Sequence, residues 1–262
     1  MASPLLFFVI MAFSYPFAVS DVSGAGSTLD GARAERGLPL SEQAYRNLRR
    51  DILNGTLEPD IPLRFEGLKE RYGLSFSPLR EALARLQAER LVTATALRGY
   101  RVAEVSLTEM WDAIQTRVLL ETAALRDSLA RGDEAWEERV DISFHALERQ
   151  SARLAVEAGR SEEPAIEMLE ERHRQFHEAL ISGASSRWLR ELSATLYGQT
   201  ERYRRPILAR RWQESGDRGG VQDEHRALRD AALSRQADLA CELLGAHLRR
   251  TGEFIERSGL LA

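Results

Sequence analysis

Apolar residues along most of this chain recur at helical spacing, not in the strict alternation of strands. Between Ser41 and Gly55, Ala44, Leu48 and Ile52 stand four apart. Ser41 is placed to cap this run, Glu42 follows closely, and Asn54-Gly55 closes it, so the segment predicts an amphipathic helix. Pro59, Asp60 and Pro62 predict a turn. Phe65, Leu68 and Tyr72, at i, i+3 and i+7, predict a short second helix stopped at Gly73. Ser75-Phe76-Ser77-Pro78 opens a third helix, with proline near the first turn where its missing N–H costs nothing. Leu79, Leu83 and Leu86 form the buried stripe of that helix and leave Arg80, Arg85 and Gln87 on other faces. The second and third helices, joined by a Gly-containing turn, make a helix-turn-helix. Thr93 to Val102 alternates loosely around Arg98-Gly99-Tyr100-Arg101 and predicts a small hairpin beside it, a wing.

From Ser106 onward the pattern is helical throughout. Breaks at Arg131-Gly132-Asp133, Gly159-Arg160, Gly183-Ala184, Gly216 to Gly220 and Arg235-Gln236 divide it into about six helices. Leu107, Trp111, Ile114, Val118, Leu125 and Leu129 trace the buried face of the first, and an antiparallel bundle follows. The expected fold class is therefore mainly α: an N-terminal winged helix-turn-helix of three helices plus a β-hairpin over residues 41–105, then a helical bundle of about six helices over 106–262. Residues 1–40 read as a disordered or mis-started leader. Leu5 to Phe13 is apolar and Ala18-Val19-Ser20 has the look of a secretory cleavage site, but no Lys or Arg precedes the run, and it is too short to span a bilayer.

Composition supports the helical reading, since Arg, Leu, Ala and Glu dominate. A 262-residue chain that is 44% hydrophobic has material for one large or two modest cores. The net charge of −4 does not announce a nucleic-acid partner, but its distribution is uneven. Residues 41–105 carry 11 basic against 9 acidic side chains, and residues 106–262 carry 23 against 28. The single Cys241 excludes an internal disulfide framework and fits a reducing, cytoplasmic compartment.

The segments "ILNGTLEPDIPL", "LKERYGLSFSPLREALARLQAERLV" and "RGYRV", in this order and spacing, resemble the GntR family of bacterial repressors across about Ser41 to Val105. The resemblance implies that the third helix enters the DNA major groove, with Ser75, Ser77 and Arg80 at or near the DNA, and that Gly99 lets the wing approach the minor groove. The physics is compatible: a helix N-terminus offers free N–H groups to phosphate, and Arg80 and Arg85 can neutralise phosphates or read guanine. Arg85 reads equally well as a solvated helix face. Two positions depart from the family pattern, Phe76 where Arg is usual and Asp60 where Gly is usual. Phe76 cannot donate a hydrogen bond, and either touches a thymine methyl or packs against the wing.

Four of the five histidines sit at telling places in the C-terminal pattern. His173 and His177, four apart on the helix carrying Ile166, Leu169, Phe176 and Leu180, project from one face. His225 shares a stripe with Val221, Leu228 and Ala232, and His247 shares one with Ala240, Leu244 and Phe254. Inward-facing imidazoles on three helices need partners, and one divalent metal satisfies all of them. The segments "RHRQFHEALISGASSRWL", "EHRALRDAALSRQADLA" and "AHL" resemble the FCD domain that commonly follows a GntR-type winged helix. That resemblance implies His173, His177, His225 and His247 as metal ligands. The first is usually Asp in the family; His173 either ligates as a fourth imidazole or drops out and leaves a three-His site. An imidazole set keeps the full charge of the ion and favours zinc or nickel over manganese or magnesium. His145 stands outside this constellation and reads as a helix-surface residue.

An effector needs a second anchor. Arg117, in "QTRVLLETAAL", resembles the FCD position that reaches the ligand pocket, and reads alternatively as an i to i+4 salt bridge with Glu121. Arg101 and the trio Arg202, Arg204 and Arg205 read as solvated or interface residues. The expected function is a ligand-responsive transcription regulator, a cytoplasmic homodimer on a palindromic double-stranded DNA operator, whose grip changes when a small carboxylate binds at the metal. No membrane is involved. The alternative is a zinc hydrolase, against which "HRQFH" lacks the Glu that follows the first His of a zincin.

Overall fold

The computed structural model describes residues 37–95, 99–156, 163–214 and 219–259. The chain first forms α1 (Leu40–Leu53), β1 (Pro62–Leu63), α2 (Phe65–Tyr72), α3 (Phe76–Ala88), β2 (Val92–Thr95) and β3 (Gly99–Val102). Six long helices follow: α4 (Leu107–Arg131), α5 (Glu134–Val156), α6 (Glu163–Ile181), α7 (Arg187–Glu214), α8 (Gly219–Leu233) and α9 (Ala237–Arg257). Of the leader expected over residues 1–40, residues 1–36 lie outside the described residues and Leu40 already begins α1; the breaks expected at Gly159-Arg160 and most of the one at Gly216 to Gly220 also lie outside them.

Two apolar cores organise the described chain. Ala44, Leu48 and Leu53 of α1 meet Leu79, Leu83 and Leu86 of α3 and Leu91, all essentially without solvent contact. Burying each of the large side chains among them contributes about 1.5–3 kcal/mol. The helical part has its own core, in which Met110, Ile114 and Leu125 of α4, Trp136 and Phe144 of α5, Phe176 of α6 and Leu244 of α9 are buried. There α4 packs on α9 and α7, and α5 on α6. The α4–α9 crossing is close at Gly252, where an added Cβ would meet the Trp111 ring at 2.7 Å. No described helix is long and apolar enough to cross a membrane.

Three local features differ from the sequence pattern. Ser41 does not cap α1: the helix begins one residue earlier, after Pro39, with no side-chain capping bond. The sheet has three antiparallel strands in the order β1-β3-β2, with Leu63 opposite Tyr100 and Thr93 opposite Arg101. β1 is only two residues long, too short to leave a periodic signal. Asp60 adopts a left-handed backbone at φ 61°, which is why glycine suits this position, and its carboxylate accepts a 2.7 Å bond from Arg101 Nε. That exposed ion pair anchors the turn to the wing strand.

Candidate functional site

The helix-turn-helix presents one open face. Gly73 ends α2 in the left-handed conformation (φ 65°), a turn that only a residue tolerant of positive φ makes without strain. Ser75 is the N-cap residue of α3, extended at φ −75° and ψ 170°, but its hydroxyl makes no capping bond. No acidic residue occupies the first turn of α3, so its free N–H groups and dipole face outward unopposed. Phe76, Ser77 and Arg80 are exposed on this turn, while Pro78 and Leu79 are buried. The Phe76 ring lies 4.3 Å from the Phe65 ring, and Phe65 stands edge-on to Tyr100 at 6.3 Å. Gly99 opens β3 at φ 78°, and no atom of the described residues lies within 4 Å of the place a Cβ would take.

Arg85 lies elsewhere. Its guanidinium donates to Glu42 at 2.8 Å and stacks 3.8 Å above the Tyr45 ring, both on α1. Five residues beyond Arg80, it is carried round the helix toward the head's own core.

The second cluster is in the helical bundle. His173 and His177 come from α6, His225 from α8 and His247 from α9. One ligand nitrogen from each lies within 4.8 Å of all the others. His177, His225 and His247 are buried, and His173 is partly covered. Both ring nitrogens of His177 and both of His225 are shielded from solvent and make no hydrogen bond among the described residues. Glu121 Oε2 stands 3.9 Å from His177 Nδ1, too far for one. Buried polar atoms left unpartnered cost about 1–3 kcal/mol each. A divalent ion accepting one imidazole lone pair from each ring removes that cost for one nitrogen per ring, so the donor set fits a metal. Around it, His247 Nδ1 lies 2.8 Å from Glu224 Oε2, an outer carboxylate that holds the Nδ1–H tautomer and leaves Nε2 free to ligate.

Burial holds the His173, His177 and His225 imidazoles well below the usual histidine range, and the positive charge of the nearby Arg204 guanidinium adds to it for all three. The rings are therefore neutral, as ligands must be. The unfolded chain takes up protons on these histidines first, below about pH 6.5. Stability of the metal-free protein is thus full above pH 6.5 and falls as pH drops below it, by up to about 1.4 kcal/mol per pH unit for each such ring. A lower melting temperature at pH 5.5 than at pH 7.5 after chelation is the expected result. Equal values would contradict neutral buried rings.

A cationic wall adjoins the imidazoles. Arg117 of α4, 2% exposed, donates from Nε to Glu121 at 2.6 Å and from Nη1 to Thr200 at 2.6 Å, and its Nη2 is buried without a hydrogen-bond partner among the described residues. The salt bridge expected as its alternative role is thus present beside an unused donor. The Tyr197 ring lies between Arg117 and Arg204, with guanidinium carbons 4.9 and 5.1 Å from its centroid. Tyr197 Oη accepts a 2.9 Å bond from Arg204 and lies 2.7 Å from His173 Nδ1. Arg204 pairs in turn with buried Glu170.

Arg202, Arg204 and Arg205 are therefore buried, not solvated. Sequence reasoning missed Tyr197, Thr200 and Arg204 as neighbours of the site. Their spacing on α7, at i, i+3 and i+7, was the available signal. His145 is about half exposed on the surface of α5, between Asp141 and Glu148, as expected.

The far side of α7 touches the winged head. Arg49 of α1 donates to Glu201 at 3.0 Å, Gln199 donates to the Glu89 carbonyl, and Arg202 reaches the Arg90 carbonyl at 3.4 Å while also donating to Glu109 of α4 at 3.1 Å. Thr200 and Glu201, adjacent in sequence, thus belong to the bundle site and to the head contact respectively.

Comparisons with known proteins complete this picture. Residues 40–102 match the family described as bacterial regulatory proteins, gntR family, and residues 112–250 match the FCD domain. FCD domains are commonly metal-binding, in keeping with the imidazole cluster. The HTH-type transcriptional regulator BphR of Paraburkholderia xenovorans is 40% identical over 85% of this chain and 87% of its own length. The HTH-type transcriptional repressor GlaR of Escherichia coli is 36% identical over 79% of this chain and 92% of its own. Among solved structures, Escherichia coli McbR/YncC superposes with a TM-score of 0.66 at 18% identity, covering 84% of this chain and 99% of that one, which supports the fold.

Proposed function

The chain belongs to the gntR family of bacterial regulatory proteins and carries an FCD domain, and on that premise we propose that it is a repressor whose operator affinity is set by a small carboxylate bound at a metal site. That it is a ligand-responsive DNA-binding transcription regulator, and not an enzyme, follows from the family and its relatives. The hydrolase alternative finds no support there. The finer reading places DNA binding in residues 41–105, through Ser75, Phe76, Ser77, Arg80 and Gly99, and effector binding in residues 106–262. Two copies acting as a homodimer in the cytoplasm would meet two half-sites of a palindromic operator.

His173, His177, His225 and His247 would hold the ion, and the neutral nitrogen donors favour zinc or nickel. The bound ion would supply a positive centre for an anionic effector. The protein's own contribution is Arg117, whose unpartnered Nη2 is the observation that carries the carboxylate assignment. Tyr197 and Thr200 orient that guanidinium, and the buried helices keep competing water away.

An effector alters DNA affinity only by binding the DNA-competent and incompetent states unequally, typically by about 1–3 kcal/mol, or roughly 5–150-fold. α7 is the element placed to transmit this, because it touches Arg117 with one side and the head with the other. The test is a gel shift with DNA flanking the native gene, titrated with small organic acids and repeated after chelation. One acid should shift affinity in the metal-loaded protein and lose its effect after chelation. Arg49→Ala, which cuts the tie to Glu201, should shrink that shift while leaving metal binding intact. An acid response indifferent to chelation would refute the metal-anchored effector.

A further inference from the structure

Phe76 is the first residue of α3 and the one large exposed aromatic side chain among the described residues of the head, 51% exposed. It shares the open face of α3 with Arg80, one turn further on. Its position is fixed from behind. Phe65, the first residue of α2, packs against it at 4.3 Å with the rings tilted by 40°, and Tyr100 of β3 closes on Phe65 edge-on at 83°. Three aromatic rings from three elements thus form one ridge, and only the outer surface of Phe76 is left uncovered. A ring braced in this way loses little freedom when something docks on it.

We infer that Phe76 is a base-reading residue that selects a thymine in each operator half-site through its 5-methyl group. This rests on the DNA-binding reading given above. A phenyl ring has no donor or acceptor, so it cannot address guanine N7 and O6, adenine N6 and N7, or cytosine N4. The one apolar group that the four bases present in the major groove is the thymine methyl. Arg80, on the same face, contacts the adjoining guanine or phosphate, so the two side chains divide the reading of neighbouring positions between an apolar and a charged contact. Phe65 and Tyr100 act only by holding the ring in place.

The test uses the full-length protein and duplexes selected by it from a random library. Each thymine of the selected half-site is replaced in turn by deoxyuridine, which deletes the methyl group and nothing else. One position per half-site should then bind about fourfold more weakly, the effect of losing one buried methyl. Placing 5-methylcytosine at that position should bind more tightly than cytosine does. Phe76→Ala should bind the thymine and deoxyuridine duplexes equally. The base-substitution arms use wild-type protein and so test the inference even if the variant folds poorly. Indifference of wild-type protein to every methyl deletion overturns the inference and leaves DNA binding standing, as does a methyl preference that survives in Phe76→Ala. Enrichment of no duplex overturns the DNA-binding reading and the inference together.

Discussion

Replacing His177 and His225 together by alanine abolishes tight zinc binding and, with it, the metal-dependent rise in melting temperature. These two rings hold four buried nitrogens without hydrogen-bond partners, so they have the most to gain from an ion. An ion present at 100 times its dissociation constant adds about 2.7 kcal/mol to stability, and that increment should vanish in the double variant. Glu224→Ala should act more weakly, lowering zinc affinity by roughly 10–100-fold, because it only frees the His247 ring that it now orients. Manganese should bind the wild type more weakly than zinc, and His173→Asp should narrow the gap by restoring a carboxylate. Calorimetric titration measures all four. Equal affinity for manganese and zinc in the wild type, or zinc binding that survives loss of both rings, would refute the imidazole site.

Arg80→Ala weakens operator binding by about 1–3 kcal/mol, or roughly 5–150-fold. If the guanidinium meets a guanine, discrimination at that base pair collapses. If it meets phosphate, all sequences weaken alike and the salt dependence flattens by about one counterion. Arg85→Ala provides the contrast. Its bonds run to Glu42 and Tyr45 within the head, so it should cost stability of about 1 kcal/mol while the folded fraction keeps its affinity for DNA. Fluorescence anisotropy across a salt series, with melting curves alongside, separates the two variants. An Arg80→Ala protein with unchanged affinity would contradict docking of α3.

The helices were legible because burial imposes a 3.6-residue period on them, and Leu79, Leu83 and Leu86 are as buried as that period implies. The histidine cluster was legible for a related reason: a pair four apart on one helix, with single histidines on two other apolar stripes, has few geometries open to it. The capping role expected of Ser41 failed because Pro39 fixes a backbone from which the helix can start one residue earlier. The arginines of α7 were misread as solvated because a run of charge ordinarily marks surface. Their burial depends on carboxylates distant in sequence, such as Glu170 for Arg204 and Glu109 for Arg202, and pairing at that range leaves no local period. Tyr197 shares a helical face with Thr200 and Arg204, but its role rests on partners from α4 and α6 as well as its own helix, which that spacing does not reveal.

On the function proposed above, the organisation of α7 would give this chain a short physical route between effector and DNA. Thr200 holds Arg117 beside the imidazoles, and the next residue, Glu201, holds Arg49 of the head. A change in the charge facing Arg117 therefore acts on a helix already bonded to α1 and to the turn after α3. Because the coupling must be reciprocal, DNA should change effector affinity by the same factor that effector changes DNA affinity.

The most direct measurement compares DNA affinity with and without the active organic acid, at fixed salt and saturating zinc, in wild-type protein and in His177→Ala/His225→Ala. The account predicts that both proteins bind operator without the acid and that only the wild type changes its grip when the acid is added. An undiminished response in the double variant would contradict it.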